Sequence, residues 1–277
     1  MRIPLLGLFA AVLLLGGCGE ATQADMHAVG SEFSDCERCP TMVVVPAGSF
    51  TMGSPASERY RGAEDQHEVT IAEPFAVSKF EITFDQWEAC VADGGCDAYS
   101  PIDHGWGRGD RPVVEMNFMD AQNYVAWLRE ETDQPYRLLS ESEWEYAARA
   151  GSEAAYSFGD TIAPDLANYD ARTDYDSPPG DDFREQTLPV GSFAPNAFGL
   201  YDMHGNAWEW VEDCWNDAYS DATPADGSAW LEGDCDGRIL RGGSWEDYPG
   251  DVRVAARVAS GVRERSWSDG IRVARDL

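Results

Sequence analysis

Three helix-start signals, all between Thr83 and Gly151, most limit what this chain can fold into. Thr83-Phe-Asp-Gln86 opens the first helix, which runs through Trp87 and Val91 to a Gly94-Gly95 stop. Asn117 caps the second, FMDAQNYVAWLREET, where Ala121, Tyr124, Val125 and Leu128 form an apolar stripe at helical spacing. Ser140-Glu-Ser-Glu143 is a capping box opening EWEYAARAG, which ends at Gly151. The rest of the chain offers only short strand patterns. MVVVPAGSFTMGS, residues 42–54, reads as a hairpin turned at Pro-Ala-Gly, and HEVTIAEPFAVSKFEIT as two strands broken at Pro74. After Gly151 the chain is loop-rich, with YDSPPGDD a turn cluster and short strands expected near 187–193, 206–212, 238–244 and 270–275. No internal repeat is present. These signals predict an irregular α+β fold with little regular secondary structure.

At 277 residues the chain is long enough for a sizeable core, and ten Trp, eleven Tyr and eleven Phe exclude a disordered polymer. Acids outnumber bases 50 to 20, a formal net charge of −30. Such a field repels phosphate backbones, so nucleic acid is excluded as a partner, while solubility and divalent cations both suit it.

The N-terminus reads as an export signal. Met1-Arg2 is a minimal basic region, residues 3–15 are apolar and too short to span a bilayer, and LGGC closes the segment with small residues before Cys18. This ending resembles the lipobox of bacterial lipoproteins, which implies a signal peptide over 1–17 and lipidation of Cys18. The implied location is the bacterial cell envelope, attached to membrane through that anchor. Residues 18–40 are small, polar and acidic, and read as a tether ahead of a folded unit over 41–277.

Export also frames the other cysteines. Setting Cys18 aside leaves Cys36, Cys39, Cys90, Cys96, Cys214 and Cys235, an even set that favours structural disulfides in an oxidising compartment. Sequence locality suggests Cys90 with Cys96 and Cys214 with Cys235. Cys36-Glu-Arg-Cys39 reads as a short disulfide or a redox pair, although a redox pair normally opens a helix after a strand. No second close pair or histidine cluster supports zinc.

Five motifs then combine: MVVVPAGSFTMGS, RLLSESEWEYAARAG, PVGSFAPNAFGLYDMHGNAWEWVEDCW, ILRGGSW and GIRVARDL. Their order and spacing resemble the formylglycine-generating enzyme, or sulfatase-modifying factor, domain over roughly residues 41–275. The resemblance implies a C-type-lectin-like arrangement of small sheets, few helices and long loops, often pinned by calcium. It also implies a first calcium group at Asp202, Gly205, Ala207 and Glu209, in a strand whose alternate carbonyls point one way. This chain has Asp202 where the family commonly has Asn. A second implied group is Asn168, Tyr169, Asp182 and Arg184, a looser match because loop lengths differ.

The family's oxidase activity depends on copper held by two cysteine thiolates after the Gly-Gly-Ser motif. Those two positions fall on Asp247 and Val252 in this chain. A carboxylate and an isopropyl group cannot replace a thiolate pair, so copper is not expected. Ser244, Glu246, Asp247 and Arg253 remain as candidates for other chemistry in the same pocket, since paired carboxylates can act as acid and base when burial separates them. Salt-bridged or surface loop groups are the commoner use of such residues. The four histidines form no metal motif, and neither a nucleotide loop nor a nucleophile elbow is present. Two functions follow: a binding or scaffold lipoprotein engaging a peptide, glycan or envelope protein, or a divergent enzyme that modifies exported protein or peptide.

Overall fold

The computed structural model describes residues 27–172 and 183–277. The expected signal peptide, Cys18, the turn cluster at 175–182 and Asp182 lie outside the described residues. In chain order the described elements are β1 (Glu32–Phe33), β2 (Met42–Val45), β3 (Gly48–Met52), β4 (His67–Ile71), β5 (Phe75–Ser78), α1 (Phe84–Ala92), α2 (Phe118–Thr132), β6 (Tyr136–Leu138) and α3 (Glu141–Arg149). They continue with β7 (Trp208–Trp215), β8 (Asp234–Arg241), β9 (Arg257–Gly261), β10 (Asp269–Ile271) and β11 (Val273–Asp276). The fold is α+β and C-type-lectin-like, with three short sheets and long connections between them.

All three helices start where the caps place them. Thr83 accepts from Gln86 N–H while the Gln86 side chain accepts from Thr83 N–H, and Asn117 with Asp120 and Ser140 with Glu143 repeat the reciprocal pattern. Each box satisfies two otherwise orphaned amides, and such a cap stabilises a helix by about 1 kcal/mol.

The first sheet has the order β1-β2-β5-β11-β6, the second β10-β7-β8-β9, and β3-β4 form a separate ribbon. The chain steps from β10 in the second sheet to β11 in the first across a single residue, Arg272. That step makes Arg272 a junction between the two sheets.

Three expectations are corrected. Residues 42–54 do not form a hairpin: β2 pairs with β1 and β5, whereas β3 pairs with β4. All four residues of β2 are buried, so this strand needs neighbours on both edges and cover on both faces. β3 alternates in exposure and needs only one. No strand forms at 187–193, because side chains claim its backbone amides: Leu188 N–H donates to Asn206 Oδ1 (2.8 Å) and Gly191 N–H to Asp202 Oδ2 (2.6 Å). The segment assigned to a tether is folded from about residue 30. Gly30 N–H donates to the Val44 carbonyl (2.8 Å), β1 pairs with β2, and Phe33 packs on the core. A two-residue strand leaves no periodicity for a sequence reading to find.

The cysteines are bonded Cys36–Cys39, Cys90–Cys96 and Cys214–Cys235, so Cys36-Glu-Arg-Cys39 is a closed disulfide. Among the described residues no helix is long and apolar enough to cross a membrane.

Candidate functional site

The region around the Gly-Gly-Ser turn is built on an alternating ladder of buried charge. Along α3, Glu141, Glu145 and Arg149 recur every four residues, and all nine residues of the helix are buried. Glu145 lies between Arg149 (2.7 Å) and Arg241 (2.5 Å), and Glu141 takes a bidentate grip from Arg257 at 2.7 and 3.0 Å. Arg241 is fully buried and donates to the carbonyls of Val254, Ala255 and Ala256. The arginine of the RGGSW motif therefore ties the turn to the segment that returns beneath it. It is a structural group.

The turn itself closes on its own continuation. A Cβ on Gly243, at φ +74°, would lie 2.5 Å from Val252 Cγ1 and 2.9 Å from the Asp251 carbonyl oxygen, so only glycine permits this approach. Ser244 is fully buried, and its hydroxyl and N–H both donate to Asp247 Oδ2. Val252 is fully buried in an apolar cluster with Tyr156, Ile162 and Tyr169. Burial, with Asp251 and Glu246 nearby, raises the Asp247 carboxyl to about 6.

Glu246 and Asp247 face an aromatic corner. Trp245 meets Trp106 and Trp267 edge-on, with ring centroids 5.2 and 5.7 Å apart, and stacks on Phe183 at 5.7 Å. Glu246 accepts from the Trp267 indole N–H (2.5 Å), and His104 binds Glu115 (2.9 Å) while packing on Trp106. Asp269, at the start of β10, is 4 % exposed. Burial, then Asp247, Glu246 and Glu115, push it to about 7.

Arg253 belongs elsewhere. Its guanidinium binds Glu58 (2.5 Å), Glu64 (3.0 Å) and the Tyr60 carbonyl. Burial works against the Glu64 charge, but the hydrogen bonds from Arg253 hold that carboxyl below its usual range. Arg253 also lines a cavity of about 310 Å³ with Tyr60, Tyr156, Pro249 and Gly250. The structure thus divides the four pocket candidates: Ser244, Glu246 and Asp247 on the aromatic side, Arg253 in the cavity wall.

The two groups expected to bind calcium meet through backbone contacts. Asn206 N–H donates to the Asn168 carbonyl (2.8 Å), and a Cβ on Gly205 would lie 2.1 Å from that same oxygen. In the first group, both Glu209 oxygens accept from the Arg272 Nε (2.9 Å each) and one also from the Trp144 indole (2.6 Å). Asp202 is held by Gly191 N–H, and burial raises it to about 6. The Ala207 N–H donates to Glu81. Glu81 was not anticipated from sequence. It is buried, binds Asn206 and Ala207, and burial, with Asp202 and Glu209 close by, raises its carboxyl far above normal. In the second group, Asn168 is 1 % exposed and its Oδ1 has no hydrogen-bond partner. Tyr169 is buried beside it, and the Arg184 guanidinium donates to the Pro164 and Ala167 carbonyls. Among the described residues, no three His, Cys, Asp or Glu side chains gather as a metal site.

Small sheets bridged at Arg272, with a glycine-rich turn closed over buried Arg–Glu pairs, define a C-type-lectin-like domain of the formylglycine-generating type. The chain belongs to the sulfatase-modifying factor family: residues 30–277 match the sulfatase-modifying factor enzyme 1-like domain. It is similar to a formylglycine-generating enzyme of Thermomonospora curvata, 28% identical and covering 85% of this chain and 93% of that protein. It is also 28% identical to the mouse protein named inactive C-alpha-formylglycine-generating enzyme 2, covering 80% of this chain and 80% of that one. Among solved structures, PvdO from Pseudomonas aeruginosa superposes with a TM-score of 0.81 at 39% identity, over 90% of this chain and 99% of PvdO.

Proposed function

We propose that this domain is a copper-free binding module of the formylglycine-generating enzyme family, carried in the cell envelope by a lipid on Cys18. One observation carries the reading. The position of the first copper thiolate holds Asp247, tied to Ser244, and that of the second holds Val252, sealed in an apolar cluster. Neither offers a soft ligand, and the disulfides take all six other cysteines. What remains open beside the turn is the cavity at Arg253, at the small end of the range for a ligand pocket of roughly 300–1,000 Å³. Its wall mixes Tyr60, Tyr156 and Pro249 with Arg253 and Glu58, which suits a peptide or glycan offering both apolar and hydrogen-bonding groups.

Calcium fits the second group better than the first. The orphaned Asn168 Oδ1 is a hard oxygen in need of a partner, as a calcium ligand would be. A bound ion there would link loops that this fold otherwise joins with few strands. Glu209, already held by Arg272 and Trp144, serves as the inter-sheet tie instead.

A second reading, a modifying enzyme acting on exported protein or peptide, draws support from the carboxylates Glu58, Glu153 and Asp160 around the same cavity. Purified, copper-loaded protein incubated with a Cys-x-Pro-x-Arg peptide decides against the oxidase if no formylglycine forms. Formylglycine production would overturn the binding reading. Crosslinking from the intact envelope should recover a stable partner. Calcium added after chelation should raise the melting temperature, and an unchanged melting temperature would remove calcium from the proposal.

A further inference from the structure

Another cavity, of about 650 Å³, is lined by none of the residues of the Gly-Gly-Ser turn and is about twice the size of the one at Arg253. It opens between the β3–β4 ribbon and the C-terminal end of α3, and it adjoins the Arg253 cavity at Pro55 and Glu153. Its volume falls within the range of roughly 300–1,000 Å³ for ligand sites. Three aromatic rings contribute to its lining. Tyr146 lies between Phe50 and Phe198, with ring centroids 5.3 and 5.5 Å away. Tyr146 is buried, whereas Phe50 and Phe198 pack against the core and keep part of their surface open. A Cβ on Gly48 would lie 2.5 Å from the Tyr146 hydroxyl, so the first residue of β3 leaves room for that ring.

The rest of the lining is polar and rich in acceptors. Glu68 takes one hydrogen bond, from the Thr51 hydroxyl (2.6 Å), and a carboxylate has about four acceptor positions. Gln66 and Glu153 are exposed. Among the described lining residues Arg149 is the one cation, and its guanidinium is taken by Glu145 and by the Gly53 and Ala154 carbonyls. With Glu68 and Glu153 in no ion pair among the described residues, the cavity repels phosphates, nucleotides and acidic sugars at short range. A lipid chain would desolvate those carboxylates without offering them a donor. An extended peptide brings as many carbonyl acceptors as N–H donors, and this lining answers chiefly the donors. A compact organic cation satisfies the charge but fills little of the volume. An uncharged sugar meets every condition: its hydroxyls donate to carboxylates in charge-assisted hydrogen bonds, and its C–H faces lie against aromatic rings.

We propose that the cavity between the β3–β4 ribbon and α3 binds an uncharged oligosaccharide. A pyranose ring would lie against Phe50 and Phe198, and its hydroxyls would donate to Glu68 and Glu153. This goes beyond the binding role proposed above, because neither Arg253 nor the Gly-Gly-Ser turn takes part.

Calorimetric titration of the intact folded domain with maltotriose, cellotriose and tri-N-acetylchitotriose, against trigalacturonic acid as the charged comparator, tests it. At least one neutral trisaccharide should bind saturably, and the acidic one at least about tenfold more weakly. Glu68→Ala and Glu153→Ala should each weaken binding of the neutral sugar about tenfold, the loss of a hydrogen bond to a charged group. Phe198→Ala should weaken it by a smaller factor, about threefold. Unchanged far-ultraviolet dichroism would show that each variant is folded, and the exposed positions of Glu68 and Glu153 leave two variants to decide if Phe198→Ala fails to fold. No saturable binding of any neutral trisaccharide, equal binding of the acidic one, or variants that bind like the wild type would overturn the proposal. Any of these outcomes leaves the copper-free reading standing, since that reading is decided by formylglycine formation alone.

Discussion

Two acidic regions flank the Gly-Gly-Ser turn, one fully buried and one partly exposed, and they are built on opposite rules. On the α3 side, Arg149, Glu145, Arg241, Glu141 and Arg257 alternate in sign, so each carboxylate sits against a guanidinium. On the Trp245 side, Glu246, Asp247 and Asp269 lie close together with no such partner among the described residues, and the last two are pushed to about 6 and about 7. The matched side holds the turn in place. The unmatched side costs stability, chiefly at Asp269, the most buried of the three. The difference teaches that sequence position alone does not say whether an acid near the family's reaction centre is structural or available.

The contrast can be broken at either end. Arg241→Ala should have the largest effect, a loss of about 3–5 kcal/mol in urea unfolding, because it leaves Glu145 with Arg149 alone and frees three buried carbonyls. A loss below about 1 kcal/mol would mean that the ladder is not holding the turn. Glu209→Gln should come next. It leaves the Arg272 guanidinium between the sheets with a neutral partner, at a cost of about 2 kcal/mol with the fold retained. Asp213→Asn sharpens the comparison from within the matched side. Burial, then Glu141, raise Asp213 to about 7, but Arg257 is nearby and the Trp230 and Glu141 amides donate to it. Removing its charge removes repulsion and an acceptor together, so stability should stay within about 0.5 kcal/mol.

The sequence carried the local devices well. Thr83, Asn117 and Ser140 each need only a residue three positions on to complete a cap, so all three helices could be placed from a few letters. The Cys90–Cys96 and Cys214–Cys235 pairs followed from proximity along the chain. The family was legible because five motifs keep register. Long-range facts were not. The split of β2 and β3 into different sheets depends on β5 and β11 lying beside β2 and between β5 and β6. The burial of the whole of α3 depends on arginines some hundred residues away, and nothing in ESEWEYAAR distinguishes an acid facing Arg241 from one facing water. Arg253 and Asp247 are near neighbours in sequence, yet a turn sends one to the cavity and the other to the tryptophans. That turn depends on Gly243 meeting Val252, a contact that spacing does not encode.

The central contrast is tested most directly by urea unfolding of the wild type and Asp269→Asn at two pH values. Asp269 has a folded-state pKa raised above its unfolded value, so its cost is absent below about pH 4 and grows as pH rises to about 7. The groups acting on it are Asp247, Glu246 and Glu115, with His104 paired to Glu115 and Arg265 also acting on Glu115. At about 1.4 kcal/mol per unit, moderated by relaxation, the variant should be more stable than the wild type by about 2 kcal/mol at pH 8. The two should be equal near pH 4. A variant that is less stable than the wild type at pH 8 would show that Asp269 is matched after all, and that the corner under Trp245 is built on the same rule as the ladder.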